Sequence, residues 1–476
     1  MKTLSLLLLL ALPASAAESL RFGRFGLVPY YRDTPHPPHV VLFLSGDGDS
    51  NGGFDAGFTA LAKAFASLDV LVVGVDTPRY LKALGRGAER CSYPAGDLEA
   101  LSQLIQKKLD YPTYVQPVLV GYSSGATLAY AALAQAPANT FRGAVSMGFC
   151  SDLPVKKPLC RGVGLQWKQG PGGKGVDFLP AAHLESPWIV LQGANDETCV
   201  PAKAQTFVEQ VSLAKIVLAP KVGHGFSVQK NWLPQFKTAL EQLLSPPKGS
   251  EPVAPGEVDA GHPMTDVSDL PLVEVHPPAA SASAFVVILS GDGGWAGIDR
   301  SVAAAFAARG YEVVGLDSLK YFWVKKSPEQ GAKDLERVLR HYSDKWKLDR
   351  VVLVGYSRGA DVLPALASRL PKEWQDKVQV LAFLGLGQRT SFEFHLSEWL
   401  GSGGDDSPVL PEVKKLRGRP MLCLYGEEET DSLCASLEKG LARSVKLKGG
   451  HHFDGDYENL ANLIIGTIGA DAGVSQ

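Results

Sequence analysis

Val351-Val352-Leu353-Val354-Gly355-Tyr356-Ser357-Arg358-Gly359-Ala360-Asp361 is the stretch on which the reading of this chain turns. An apolar, mostly β-branched run enters Gly-x-Ser-x-Gly, and the next segment, Val362 to Ser368, is Ala- and Leu-rich as a helix is, with a kink expected at Pro364. Two glycines permit a sharp strand-to-helix reversal that lifts the intervening serine hydroxyl clear of the backbone, the form of a nucleophile elbow. Ser357 is therefore the first candidate nucleophile. The motif alone is short, and any glycine-rich turn can carry a serine. Its weight comes from recurrence, as Pro117-Val118-Leu119-Val120-Gly121-Tyr122-Ser123-Ser124-Gly125-Ala126.

Working outward, other motifs repeat in the same order. Val40 to Leu44 reads as a buried strand entering Ser45-Gly46-Asp47-Gly48-Asp49, and Phe285 to Leu289 enters Ser290-Gly291-Asp292-Gly293-Gly294-Trp295. Val70 to Val75 ends in Asp76, and Tyr311 to Leu316 ends in Asp317. Gly143 to Met147 corresponds to Leu381 to Leu384. Strands alternating with helix-like segments such as Ala56 to Leu68, Asp97 to Leu109 and Trp232 to Leu244 indicate a parallel sheet covered on both faces. Several motifs recurring in one order indicate a duplicated domain.

A serine hydroxyl becomes a useful nucleophile only when a base takes its proton, and that base needs a carboxylate to hold its tautomer and its charged form. In the second copy the strand Pro420 to Tyr425 leads to Gly426-Glu427-Glu428-Glu429-Thr430-Asp431, and the first copy offers Leu191-Gln192-Gly193-Ala194-Asn195-Asp196. Aligning the glycines sets Glu429 opposite Asp196, whereas aligning Cys434 with Cys199 sets Asp431 there, so both acids are carried. Lys448-Gly449-Gly450-His451-His452-Phe453 aligns with Lys221-Val222-Gly223-His224-Gly225-Phe226, which makes His451 the base, with His452 beside it as a substitute. Ser123, Asp196 and His224 form a second complete set. For the oxyanion, the N–H of Arg358 is one expected donor and the glycine-rich loop at Asp292 or Gly293 the other. No Gly-Lys-Ser/Thr follows that loop, so phosphate cradling is not supported. Trp295, Arg358, Asp361, Glu393, His395 and Glu398 are polar or aromatic groups of the second copy available to a polar substrate.

At 476 residues the chain is long enough for two cores of about 200 residues each. Its net charge of −3 lacks the strongly basic footprint of a nucleic-acid partner. Met1-Lys2-Thr3, the apolar Leu4 to Leu12 and Pro13-Ala14-Ser15-Ala16-Ala17 read as a secretory signal peptide cleaved after Ala16 or Ala17. That run is too short for a permanent span. Six cysteines, none in Cys-x-x-Cys, suggest disulfides in an exported protein. The locally simplest pairings are Cys150 with Cys160 and Cys423 with Cys434, leaving Cys91 with Cys199. A proline-punctuated stretch from about Ser245 to Ser283 reads as a linker, in which Leu270 to Val275 could supply a first strand. The expected architecture is thus α/β: a signal segment over 1–17, one α/β-hydrolase-like domain over 18–245, a linker over 246–269 and a second such domain over 270–476, each a mostly parallel sheet flanked by helices.

The repeated Ser-Gly-Asp-Gly loop, the Gly-Tyr-Ser-x-Gly-Ala elbow and Gly449-Gly450-His451-His452-Phe453-Asp454-Gly455-Asp456-Tyr457 together resemble the AcvB/VirJ family of bacterial virulence proteins. The resemblance covers nearly the whole mature chain, and the layout is similar to the two-domain AcvB form, whereas VirJ resembles the second half alone. It implies a periplasmic serine hydrolase that removes the aminoacyl group from lysyl-phosphatidylglycerol, with an association with virulence and type IV secretion. Carried across, the serine falls on Ser357 and the histidine on His451, while the acid falls in the loop that holds Glu429 and Asp431. No metal or organic cofactor is implied. An aminoacyl ester is activated toward acyl transfer, so the chemistry suits the residues. A cationic lysyl group would want a carboxylate such as Asp292, Asp361, Glu393 or Glu398. Two rivals stand beside this reading: a periplasmic binding or assembly factor on a hydrolase scaffold, since fold alone does not fix function, and a general esterase or peptidase.

Overall fold

The computed structural model describes residues 18–47, 56–66, 68–86, 91–245, 265–295, 297–394 and 407–468. The signal segment, most of the linker, Gly48, Asp49, His395 and Glu398 lie outside these residues.

Elements are numbered in chain order. The first half carries β1 (Glu18–Phe22), β2 (Gly26–Tyr31), β3 (His39–Leu44), α1 (Ala56–Ala66), β4 (Val70–Val75), α2 (Thr77–Leu84), α3 (Pro94–Lys108), β5 (Val118–Tyr122), α4 (Ser124–Gln135) and β6 (Gly143–Met147). It continues with β7 (Asp152–Leu153), β8 (Gln166–Gln169), β9 (Val176–Leu179), β10 (Trp188–Gly193), α5 (Pro201–Val208), β11 (Ala214–Ala219) and α6 (Leu233–Leu244). The second half carries β12 (Leu272–Val275), β13 (Phe285–Leu289), α7 (Gly297–Ala307), β14 (Val313–Leu316), α8 (Ser318–Tyr321), α9 (Pro328–Trp346), β15 (Val351–Tyr356), α10 (Arg358–Ala367) and β16 (Val378–Leu384). Two short strands, β17 (Arg389–Thr390) and β18 (Ser407–Pro408), precede β19 (Met421–Gly426), β20 (Arg443–Leu447) and a closing helix, Tyr457–Thr467.

The strands form one sheet per half, in the orders β1-β2-β4-β3-β5-β6-β10-β11 and β12-β14-β13-β15-β16-β19-β20. From β4 to β11, and from β14 to β20, every neighbouring pair is parallel, and β2 and β12 each close one side antiparallel to β4 and β14. The two sheets therefore match strand for strand, with β1 as the extra edge of the first. Parallel neighbours need crossovers, which is why strands alternate with helices along the chain. Buried on both faces, the central strands read as unbroken apolar runs. In β13, Phe285, Val287 and Leu289 face one apolar cluster with Leu353 and Leu363, while Val286 and Ile288 face another with Val352 and Val354. Each such side chain contributes roughly 1.5–3 kcal/mol by leaving water.

The repeated motifs have structural reasons. Ser45 Oγ accepts the Thr77 N–H at 3.1 Å and Ser290 Oγ accepts the Ser318 N–H at 2.9 Å, tying each glycine-rich loop to the end of the next strand. Asp76 and Asp317 cap the helices that follow, accepting the N–H of Arg79 at 3.0 Å and of Lys320 at 3.2 Å.

The duplicated, mostly parallel α/β architecture is as expected from the sequence, but two details differ. The chain divides into two compact units: residues up to Pro94 with Pro117–Gln135 and Gly143–Gln242, and Ala95–Gln116 with Ala136–Arg142 and Leu243–Gln476. The units are thus discontinuous rather than the contiguous 18–245 and 270–476, and residues 265–269 of the expected linker belong to the second, where Asp266 and Asp269 hold the guanidinium of Arg337. The disulfides are Cys91–Cys160, Cys150–Cys199 and Cys423–Cys434, so only the last of the expected pairings stands. Closeness in sequence misled for the others. Ser92 pairs with Leu159 as an isolated parallel bridge, which brings the Cα atoms of Cys91 and Cys160 to 5.0 Å, while Cys150 follows β6 toward the loop of Cys199. Helix α10 continues through Pro364 to Ala367, with Pro364 buried.

Candidate active sites

Each elbow stands where a central strand turns into a helix. Ser123 and Ser357 have φ of 53° and 52°, a conformation that costs a non-glycine residue about 1–3 kcal/mol and is held by its surroundings. The flanking glycines are required by space: a Cβ on Gly355 would lie 2.4 Å from the Gly359 carbonyl oxygen, and one on Gly359 would lie 2.1 Å from that of Leu289. The strained turn is anchored on both sides. Ser357 N–H donates to Leu384 O at 2.9 Å and Ser357 O accepts from Asp361 N–H at 3.0 Å; Ser123 N–H donates to Met147 O at 2.9 Å.

In the first unit the set is closed. Ser123 Oγ is 3.0 Å from His224 Nε2, and His224 Nδ1 is 2.9 Å from Asp196 Oδ2. The Asp196 side chain is fully buried and saturated with donors: Gln192 Nε2 at 3.0 Å and the N–H groups of Thr198 and Cys199 at 3.0 and 2.8 Å. Gln192 also accepts the Phe149 N–H, tying the acid to the end of β6.

In the second unit His451 Nδ1 lies 2.5 Å from Glu429 Oε1, and Glu429 Oε2 accepts the Gly426 N–H at 2.6 Å. The alternative acid is thereby separated from the base: Asp431 is exposed, and its backbone oxygen accepts from Gln388. The bond to Glu429 lifts the His451 pKa above the usual imidazole range, with Asp292 and Asp361 adding to the effect. For Glu429, burial raises the pKa, but the bonds from His451 and Gly426 outweigh it and leave the carboxyl below its ordinary value. His452 turns instead toward the Tyr356 hydroxyl at 3.1 Å, and burial together with the neighbouring His451 lowers its pKa. Among the described residues no hydrogen bond joins the Ser357 hydroxyl to the His451 ring.

Other expected site residues divide by location. Arg358 opens α10, and its N–H sits directly after the nucleophile, but its guanidinium is buried, donating to the carbonyls of Ser391 and Glu393. Asp292 and Gly293 lie on the turn after β13, half-buried and exposed respectively. Asp361 accepts the Gly387 N–H at 2.6 Å, and burial pushes its pKa up to about 7. Glu393 is paired with Lys107 of the same unit at 3.5 Å. Trp295 is corrected from a substrate-binding residue to a core one: it is 2% exposed, and a Cβ on Gly315 would fall 2.1 Å from its ring, so the indole packs flat on β14. An aromatic side chain in a glycine-rich loop reads as a binding group from sequence, yet the missing Cβ at position 315 makes room for it below the loop.

Three contributors escaped the sequence reading. The tyrosine before each nucleophile donates to the carbonyl of the histidine, Tyr122 Oη to His224 O at 3.0 Å and Tyr356 Oη to His451 O at 3.4 Å, fixing the histidine loop over the elbow. Gly148 and Gly385, at φ of 64° and 68°, follow β6 and β16 and leave space for the imidazole: a Cβ there would lie 3.3 Å from His224 Cε1 and 2.6 Å from His451 Cε1. Glu99, in the second unit, is pushed up to about 8 by burial, with Asp292 and Asp317 adding to the effect. The Tyr and Gly pairs could have been found from their recurrence in both copies; nothing in the sequence marks Glu99.

A serine, an imidazole and a carboxylate so arranged can perform acyl transfer. The one set of potential metal donors among the described residues, Asp196, Cys199 and His224, includes a disulfide sulfur, which is no thiolate ligand. No helix among the described residues is long and apolar enough to cross a membrane.

No curated protein matches the chain. Similar solved structures include XC6422 from Xanthomonas campestris, described as an α/β serine hydrolase without lid, at 19% identity and a TM-score of 0.31, covering 48% of this chain and 93% of that one. An α/β serine hydrolase homologue from Coxiella burnetii is 18% identical with a TM-score of 0.32, covering 48% and 98%. Est1E from Butyrivibrio proteoclasticus is 13% identical with a TM-score of 0.33, covering 48% and 100%. The family model described as bacterial virulence protein VirJ matches residues 283–471, a segment that contains the Ser357 elbow and the Glu429–His451 pair.

Proposed function

We propose that the chain is a periplasmic serine hydrolase whose second-unit site cleaves the aminoacyl ester of lysyl-phosphatidylglycerol. The observation that carries this reading is the short Glu429–His451 bond beside a strained Gly-x-Ser-x-Gly turn inside the segment that matches the VirJ family model. In this mechanism Ser357 Oγ attacks the lysyl carbonyl carbon as His451 Nε2 takes its proton. Glu429 holds the Nδ1 tautomer and stabilises the imidazolium. The oxyanion is met by the N–H of Arg358 with help from the turn at Asp292 and Gly293. Collapse breaks the ester bond; the glycerol oxygen of phosphatidylglycerol leaves with the proton from His451, and water then releases lysine from Ser357 by the reverse transfers.

The setting supports a cationic acyl group. Asp292 and Asp361 both act on His451, which sets carboxyl groups beside this site. A lysyl ammonium can pair with such a carboxylate where a neutral acyl group does not. The signal segment read at 1–17 and the disulfides suit an exported protein, and the VirJ match supports a role in virulence, with type IV secretion components as proposed partners.

Incubating purified full-length chain and its Ser357→Ala variant with lysyl-, alanyl- and plain phosphatidylglycerol, and following the lipids and free amino acid, tests the reading. Release of lysine by the wild type alone is expected. Equal release by the variant sinks it, and a wild type that releases nothing while Ser357→Ala still supports secretion favours an assembly factor.

A further inference from the structure

The VirJ match stops short of the first unit, yet that unit holds the more completely hydrogen-bonded of the two triads. We propose that Ser123, His224 and Asp196 form a second, independent acyl-transfer site that takes uncharged carboxylic esters.

Geometry comes first. Ser123 Oγ, both His224 nitrogens and Asp196 Oδ2 lie on one unbroken line of hydrogen bonds at 3.0 and 2.9 Å. Keeping a non-glycine nucleophile at φ of 53° costs stability, and the surroundings enforce it at Ser123 as they do at Ser357. The loop after β3 is fitted to the elbow: a Cβ on Gly46 would lie 3.2 Å from Ser123 Cβ and 2.8 Å from the Tyr122 ring, so the loop approaches the serine closely only as glycine. Four donors hold the Asp196 carboxylate in the charged form that a triad requires. Asp196 keeps Gln192, Thr198, Cys199 and His224.

The acyl preference follows from two positions beside the nucleophile where the copies differ in charge. One residue after the nucleophile stands Ser124 in place of Arg358, and four residues after it Thr127 in place of Asp361. Thr127 Oγ1 donates to the Cys150 carbonyl at 2.8 Å, so the group is neutral and bound to backbone. Where the second site carries a carboxyl one helical turn beyond its serine, the first has none at that position, which removes an attraction for a cationic acyl group.

The reaction balances without a cofactor. Ser123 Oγ bonds to the acyl carbon, its proton passes to His224 Nε2, the ester C–O bond breaks and the alcohol leaves with that proton. Water, deprotonated by the same nitrogen, then cleaves the acyl-serine and restores Ser123.

The test uses full-length chain in which the second site is silenced by Ser357→Ala, and independently by His451→Gln. Each is treated with a fluorophosphonate label and assayed with p-nitrophenyl butyrate and with the p-nitrophenyl ester of lysine, which has the same leaving group and a cationic acyl group. One label per chain, mapped to Ser123, is expected, with p-nitrophenyl butyrate turnover that falls about 10³-fold or more when Ser123→Ala or His224→Gln is added, thermal melts showing each protein folded. Label absent from Ser123 in both backgrounds, or ester turnover indifferent to both added substitutions, overturns the site. A Ser123-dependent preference for the lysine ester overturns the assignment of neutral substrates. Lysine release is read in the same samples: its loss in both backgrounds while p-nitrophenyl butyrate turnover continues supports the division of substrates, its persistence in Ser357→Ala counts against the lysyl-lipid reading of the second site, and if that release disappears when Ser123→Ala is added the assignment of neutral substrates falls too.

Discussion

Glu429 Oε1 stands 2.5 Å from His451 Nδ1, while Asp431, two residues on in the same acidic loop, presents its side chain to solvent. Glu429→Gln is therefore expected to lower kcat for the lysyl lipid by about 10²–10⁴-fold, because the amide can neither hold the productive tautomer nor stabilise the imidazolium. Asp431→Asn should stay within about twofold, as exposed charges contribute little. Steady-state kinetics on both variants checks this, and a large loss in Asp431→Asn alone would reverse the assignment.

The pH dependence has a fixed sign. His451 must be neutral to accept the proton, and its pKa is raised by Glu429, then by Asp292 and Asp361. Activity of the second site should be full above that raised value and lost as pH falls through it, with the midpoint above the ordinary imidazole value of about 6.5. Glu429→Gln should move the acid limb of kcat/KM to lower pH, and Asp361→Asn should move it the same way by less. An acid limb that stays put in Glu429→Gln would falsify the role of that carboxylate.

Gly385 gives a spatial prediction. A methyl group there would lie 2.6 Å from His451 Cε1 on a backbone of φ 68°, so Gly385→Ala should push the ring from the elbow and cut kcat at least about tenfold, with destabilisation of about 1 kcal/mol or more. Gly148→Ala, at 3.3 Å from His224 Cε1, should harm the first site less. Comparing kcat and Tm for the two variants decides the matter.

Trp295→Ala should act on stability rather than on substrate binding. Removing a buried indole leaves a cavity, and large-to-small changes of this kind cost about 3–5 kcal/mol. A lowered Tm with KM near that of the wild type is expected; a raised KM at unchanged Tm would return Trp295 to the site.

The Cys150–Cys199 disulfide joins the segment after Gly148, which backs His224, to the residue whose N–H holds Asp196. Cys150→Ala with Cys199→Ala should slow Ser123-dependent ester hydrolysis about tenfold and lower stability by about 2–5 kcal/mol, while the second site, with its own Cys423–Cys434 bridge, keeps its rate. Parallel assays of the two activities test this.

Much of the fold was legible because duplication prints the same local physics twice. The apolar runs at β3, β4, β5 and β6 and their counterparts, the glycines that let strand and helix cross, and the strand-end aspartates that cap a helix are all short-range requirements. They leave their mark on neighbouring residues. Serine and histidine could be read for the same reason, each sitting in a turn whose glycines announce it.

What the amino-acid order by itself determined, then, was a pair of mostly parallel α/β sheets with a serine at each elbow and an imidazole late in each copy. Only the tertiary structure decided between Glu429 and Asp431, sent Trp295 into the core, re-paired Cys91 and Cys150, and brought Glu99 toward Asp292. Those outcomes depend on distances between residues tens to hundreds of positions apart, set by how strands register and which side chain fills the space left by a glycine. No local pattern carries that information, because the energy that fixes it arises only once the sheets have packed.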